Sequence, residues 1–376
     1  MRTILKMILG LAAGSLIGLL IGLGAAVLFS GKTWTEAWAN LTDAESLSLL
    51  LLGVWALVAA IIGFVAQIVV HEAGHLVAGL LTGYRFVSFR VFEYTLTRRD
   101  GHFRWNRFAL GATGGQCLMR APERPLSEID TRWYNAGGVL ANILLSILCL
   151  LLCCFSLPKL VYILLVVIAF IGFALALTNG IPMKIGGMNN DGYNLLNLER
   201  QPENKRLLCQ MLDANASIQD GMQPGELPED MFRETKDVDW SDALQANWQL
   251  MRLARMENLH QWDEAYQLLS EALRQKKHIV RLIQMELESE MVFVCLATDR
   301  IDEAREHYAK DIRKYVQQFA KTQSSKQRIL FAVSLLMDHK KDEALQMLES
   351  LKANRQNYLL QGEVAMDINL MEWMTE

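Results

Sequence analysis

The run from about Leu47 to Leu81 is apolar almost throughout, yet it ends VVHEAGHLVAGLL. A bilayer core is roughly 30 Å thick and takes about 20 apolar residues to cross as a helix, so this run is long enough to span one. Lipid offers no hydrogen bonds, and an ionisable side chain at that depth costs on the order of 3 kcal/mol or more. His71, Glu72 and His75 therefore need a function or a buried partner. A segment that served only as an anchor would not carry them.

Further runs of the same character cover about Ile4 to Ser30, Gly137 to Leu157 and Leu160 to Ile181. The first exceeds the ~7–15-residue apolar core of a secretory signal and reads as a retained anchor. About four spans are expected. Lys and Arg near span ends mark the cytoplasmic side. Arg2 and Lys6 precede the first span, a series of arginines from Arg85 to Arg132 follows the second, and Lys184, Arg200, Lys205 and Arg206 follow the fourth. The expectation is a multi-pass integral membrane protein with both termini in the cytoplasm, most simply of a bacterial plasma membrane. The net charge of −4 argues against nucleic acid as a partner. Cys149, Cys153 and Cys154 lie inside one apolar run, so the cysteines read as packing residues, not a disulfide framework.

Residues 85–108 break the helical pattern. β-Branched and aromatic residues flank Asp100-Gly101, a two-residue hairpin signal. The following GATGGQC, residues 111–117, suits a flexible loop. A hairpin edge beside an active site would hold an extended substrate through main-chain hydrogen bonds. Residues 200–240 mix prolines, glycines and acidic residues and read as a linker. Beyond Pro228 there is no proline and only Gly362, which favours uninterrupted helices. Asp-Glu-Ala recurs at Asp263, Asp302 and Asp342, 39 and 40 residues apart, each time after another helical stretch. Helical hairpins at such a period stack into a solenoid with a concave binding face, and these resemble tetratricopeptide repeats.

The expected fold is thus mainly α: a polytopic membrane helix bundle with a small β-hairpin, then a soluble α-helical repeat domain. In segments, residues 1–46 form an anchor and short external loop, and 47–199 the membrane core with its cytoplasmic hairpin 85–108. Residues 200–240 form a linker, and 241–376 tetratricopeptide-like cytoplasmic repeats.

HEAGH carries the chemistry. Residues four apart share one helix face, so His71 and His75 can bind a single metal ion. Glu72 lies about 100° around the helix, where it can reach a water on that metal as general base. Such a pattern arises by chance in about one chain in a hundred of this composition, and its place inside a span adds weight. Catalytic zinc takes three protein ligands and leaves a fourth position open. Asp191 is the sole acidic residue between Asp130 and Glu199. An Asp-Gly pair alone reads as a turn; beside a two-histidine site lacking a ligand, Asp191 becomes the candidate third.

HEAGH at the end of a span, the segment NAGGVLAN at 135–142, and Asn179, Pro182, Asp191 and Gly192 near the end of a later span resemble the site-2 protease family of intramembrane zinc metalloproteases. The resemblance covers roughly residues 47–199. It implies one Zn2+ per chain and hydrolysis of a peptide bond in or near a transmembrane segment of a membrane protein substrate. Zinc-bound water would be the nucleophile and Glu72 the base. By the same analogy Asn142 and Asn179 would hold an extended substrate or stabilise the oxyanion. Substrate, lipid and a protein docked on the repeats are the expected partners. The alternative is a catalytically silent membrane scaffold whose repeats bind other proteins.

Overall fold

The computed structural model describes residues 33, 35–36 and 44–376, apart from 100–101, 109–113, 186 and 233–237. The first expected span, Ile4 to Ser30, lies outside the described residues, as does the Asp100-Gly101 turn. The other apolar runs are helices. They are α1 (Ala44–Leu81), α2 (Arg132–Leu152) and α3 (Lys159–Gly180), each long and apolar enough to cross a membrane. A helix satisfies its own backbone, which is why such runs fold this way in lipid. Large apolar side chains such as Leu51, Leu144 and Phe170 stand outward and exposed, as a lipid-facing surface requires.

Contacts divide the chain into two units, residues 1–75 with 137–180 and residues 76–136 with 181–376. In the first unit, small residues let the helices approach closely, a habit of membrane helices. A methyl on Gly74 would lie 2.2 Å from the Gly137 carbonyl oxygen, and one on Gly172 would lie 2.1 Å from Ser146 Oγ.

The second unit begins with an antiparallel sheet of β1 (Arg85–Val91), β2 (Tyr94–Arg99), β3 (His102–Arg107) and β4 (Gly115–Arg120), in the order β3-β2-β1-β4. The expected hairpin is therefore three strands. The GATGGQC stretch, expected as loop, supplies the start of the fourth. Its glycines precede Cys117, Leu118 and Met119, which are buried with Cys209, Leu212 and Ala216. One bulge, between Phe86 and Ser88, interrupts the β1–β4 register. At the opposite edge, β3 leaves Phe103 and Trp105 exposed.

After a two-stranded ribbon, β5 (Lys184–Ile185) and β6 (Met188–Asn189), comes the short helix α4 (Asp191–Asn197). Next is α5 (Pro202–Gln219), inside the segment read as linker. Pro202 sits in its first turn, where proline's missing N–H costs nothing. The helix has two apolar faces. Cys209, Leu212 and Ala216 pack on the sheet, while Leu207, Ala214 and Ile218 pack with Trp248. Asp213 accepts a hydrogen bond from the Ala121 backbone at 3.0 Å, and Ser88 Oγ donates to Gln219 at 3.0 Å. Residues 202–219 are thus a packed helix whose buried residues the surrounding prolines and acids obscured.

The remaining helices are α6 (Ala243–Asn258), α7 (Trp262–Arg274), α8 (Arg281–Ala297), α9 (Ile301–His307), α10 (Lys310–Phe319), α11 (Ser324–Ala332), α12 (Lys341–Asn354) and α13 (Gln361–Trp373). The recurring Asp-Glu-Ala marks the first turns of α7, α9 and α12. Its alanines, Ala265, Ala304 and Ala344, are fully buried, and Leu269, Tyr308 and Leu348 pack one turn further on. The turn before each of these helices holds one left-handed residue: His260, Asp299 and His339. Histidine and aspartate tolerate that conformation better than most side chains. The recurrence is therefore a repeated helical hairpin, sealed by an alanine with no room to grow. Ala304→Leu should overpack this seam and lower stability by about 1–3 kcal/mol. Denaturant unfolding followed by tryptophan fluorescence checks this, with exposed Ala309→Leu expected to leave the midpoint unchanged.

Candidate metal centre

Residues 71–75 lie within α1, so the helical spacing holds and the two imidazoles face the same way. Their rings are edge to face at 85°, with centroids 4.8 Å apart. The two Nε2 atoms lie 3.2 Å from each other. Two nitrogens at zinc–nitrogen distances of about 2.0–2.1 Å and a tetrahedral angle would be roughly 3.3 Å apart, so the pair is set for one ion between them. Glu72 is partly buried on the same turn.

A hydrogen-bond chain selects the tautomer. Asn142 Nδ2 donates to the Gln67 carbonyl at 2.9 Å and to Gln67 Oε1 at 2.7 Å. With both amide hydrogens spent, Asn142 turns Oδ1 toward His71 Nδ1, 2.7 Å away. His71 must donate there, which leaves its Nε2 lone pair for a metal. Gln67 Nε2 in turn donates to the Ile168 carbonyl at 3.0 Å, and Ser146 Oγ donates to the Asn142 carbonyl at 2.8 Å. Gln67, Asn142 and Ser146 are completely buried. Each of the three helices thus contributes to holding one imidazole. Asn142, expected to hold substrate, is instead committed to His71 and Gln67 and has no exposed atom to offer. Asn179 Nδ2 donates to its own helix at Leu175, 2.9 Å away. Neither Gln67 nor Ser146 was a sequence candidate. Gln67 lies one turn before His71 on α1 and Ser146 one turn after Asn142 on α2, and polar residues at that spacing inside apolar runs are the signal.

Gly138 presses on the imidazoles from α2. A methyl there would lie 2.5 Å from His75 Nε2 and 2.7 Å from His71 Nε2. Only a bare backbone fits, so α2 forms a wall against the ligand atoms.

Asp191 occupies the first turn of α4. Asn190 caps that helix: its Oδ1 accepts from the Tyr193 N–H at 2.9 Å and the Met183 N–H at 3.1 Å, and its Nδ2 donates to the Ile181 carbonyl at 2.7 Å. These bonds tie both ends of the 181–190 segment together and fix the backbone on which Asp191 rides. His71 and His75 each offer an imidazole nitrogen and Asp191 a carboxylate oxygen, possible ligand atoms for one metal ion. Two imidazoles and a carboxylate are a donor set that suits zinc.

The model of peptidase family M50, the site-2 protease family, matches residues 59–330, well over half of the chain. The chain belongs to peptidase family M50. Membership implies intramembrane metalloprotease activity, and proteases of this family depend on zinc. With three membrane-length apolar helices, it marks an integral membrane protein. No curated protein and no solved structure matches the chain.

Gly138→Ala should displace the imidazoles and reduce zinc per chain well below one, as read by elemental analysis of purified protein. Gly53→Ala, at a helical glycine with open space around it, should leave zinc content unchanged. Asn142→Leu should weaken zinc affinity by about 10–100-fold, the range for losing a group that orients a metal ligand.

Proposed function

We propose that this M50 peptidase is a zinc endopeptidase that cuts a peptide bond in or near a transmembrane segment of another membrane protein, with His71, His75 and Asp191 as metal ligands and Glu72 as general base. The observation that carries the reading is the pair of Nε2 atoms 3.2 Å apart on an apolar helix, backed by Asn142. Zinc, when bound, polarises the scissile carbonyl and lowers the pKa of water toward 7. Glu72 takes the proton of the attacking water and delivers it to the leaving amine nitrogen, so the carboxylate ends the cycle as it began. The hydrogen bond to Asn142 orients His71 so that its Nε2 is left for the metal.

A substrate helix hides its peptide bonds in its own hydrogen bonds, so it must unwind locally before cleavage. The outer edge of β3 offers main-chain donors and acceptors for an unwound strand, and this is the role proposed for it. The repeated helical hairpins are proposed as a docking domain for protein partners, on the cytoplasmic side together with both termini.

Glu72→Gln should keep one zinc per chain and lose at least about 100-fold in turnover, the usual lower range for a general base. Asp191→Ala should lose zinc and turnover together. Cleavage of a model transmembrane substrate in vesicles, with zinc measured on the same samples, separates the two. Full turnover by the Glu72 variant would overturn the mechanism.

A further inference from the structure

The second unit contains a cavity that the proposed reaction does not use. It measures about 460 Å3, within the ~300–1,000 Å3 of typical ligand pockets. It opens between α6, α8, α10, α11 and α13. Most of its wall is apolar, with Leu282 and Phe319 among the lining residues; Glu257, Glu286, Glu290 and Glu363 supply carboxylates.

The buried cations nearby are already committed. Arg328 pairs with Glu257 at 2.7 Å, with Glu290, and with Asp367 at 3.0 Å, and lies over the Phe293 ring at 3.9 Å. Lys326 pairs with Glu286 at 2.6 Å and Glu290 at 2.9 Å and donates to Ser289. Tyr315 donates its hydroxyl to Glu286. Glu257, Glu286, Glu290, Glu363 and Asp367 thus outnumber Lys326 and Arg328. Glu257 is 1% exposed, and its Oε1 accepts no hydrogen bond. Gln323 Oε1, also at the cavity, accepts none. Glu363 makes no ion pair among the described residues. The cavity therefore offers carboxyl groups and two unpaired acceptor oxygens, Glu257 Oε1 and Gln323 Oε1, inside apolar walls. An anion would be repelled; a cation carrying N–H groups would satisfy what is unsatisfied.

We propose that this cavity binds a basic side chain, an arginine or lysine flanked by apolar residues on a partner polypeptide. The charged head sits between Glu257 and Glu363, and the apolar neighbours lie on the wall that includes Leu282 and Phe319. The inference concerns partner docking and does not depend on the reaction proposed above. Burial pushes the Glu257 and Glu363 carboxyls up to about 8, with Glu290 and Asp367 adding repulsion. Near neutral pH the empty site therefore holds protons that an arriving cation displaces. A bound cation favours the ionised carboxylates, so binding releases protons and tightens as pH rises from about 6 to 8.

The test is calorimetry on the full chain in lipid nanodiscs, with acetyl-Leu-Arg-Leu-amide as probe. Its citrulline counterpart has nearly the same shape without the charge. The arginine peptide should bind one per chain, at least tenfold tighter than the citrulline peptide, with proton release seen as a heat that depends on the buffer's ionisation enthalpy. Glu363→Gln, which breaks no ion pair, should weaken the arginine peptide at least tenfold. Leu282→Ser, at the exposed rim and in no ion pair, should weaken both peptides and serves if the Glu363 variant folds poorly. Equal binding of the two peptides, no binding of either, or an unchanged affinity in both variants would overturn the proposal. Removing zinc should change none of these results.

Discussion

Lipid cannot hydrogen-bond an imidazole, so a histidine placed inside a membrane helix must find its partners in neighbouring helices. In this protein the partners form a chain: His71 donates to Asn142, Asn142 donates twice to Gln67, and Gln67 donates to the Ile168 carbonyl. That chain ties α1, α2 and α3 together at one level. It also sets the direction of the lone pair that a metal needs. Close approach at Gly74 and Gly138 makes these bonds short enough to exist. Polar satisfaction, helix packing and ligand orientation are one constraint seen three ways: α1 and α2 carry buried polar side chains that would be errors in an ordinary anchor, and α3 supplies a backbone carbonyl.

The core of this arrangement was legible in the sequence because its signals are local. His71, Glu72 and His75 lie within five residues of one another, and helical periodicity alone places both imidazoles on one face. Asp191 was legible by elimination, as the single acidic residue in a long stretch. The family resemblance points Asn142 toward substrate or the oxyanion and not toward His71. The partner of Asn142 lies 75 residues away in the chain, and spacing within one helix cannot reveal a bond between two. Gln67 and Ser146 were missed for the same reason. The fourth strand and α5 were missed for another. Glycines before β4, and prolines and acids around α5, dominate the local composition, while what decides the fold there is the burial of Met119 and Leu212 against one another's elements and of Leu207 against Trp248.

The helical hairpins show the opposite case. Their recurrence is visible as Asp-Glu-Ala, and the alanine is buried each time because the next helix leaves no space for more. The left-handed residues that turn each hairpin repeat at the same interval, though their conformation could not be read from residue type alone. What the recurrence conceals is the charged interior. Lys326 and Arg328 fall outside the repeated motif, yet they gather carboxylates from three other helices. Buried pairs of this kind seldom add net stability, and an excess of carboxylates beside a cavity is more naturally understood through what it binds.

X-ray absorption at the zinc edge on purified wild-type protein tests the central claim most directly, because it reports which atoms surround the metal. The account predicts only nitrogen and oxygen neighbours, at about 2.0–2.2 Å, with outer-shell scattering from two imidazole rings. A sulfur neighbour near 2.3 Å, or scattering from fewer than two imidazoles, would contradict it and place the metal on other residues.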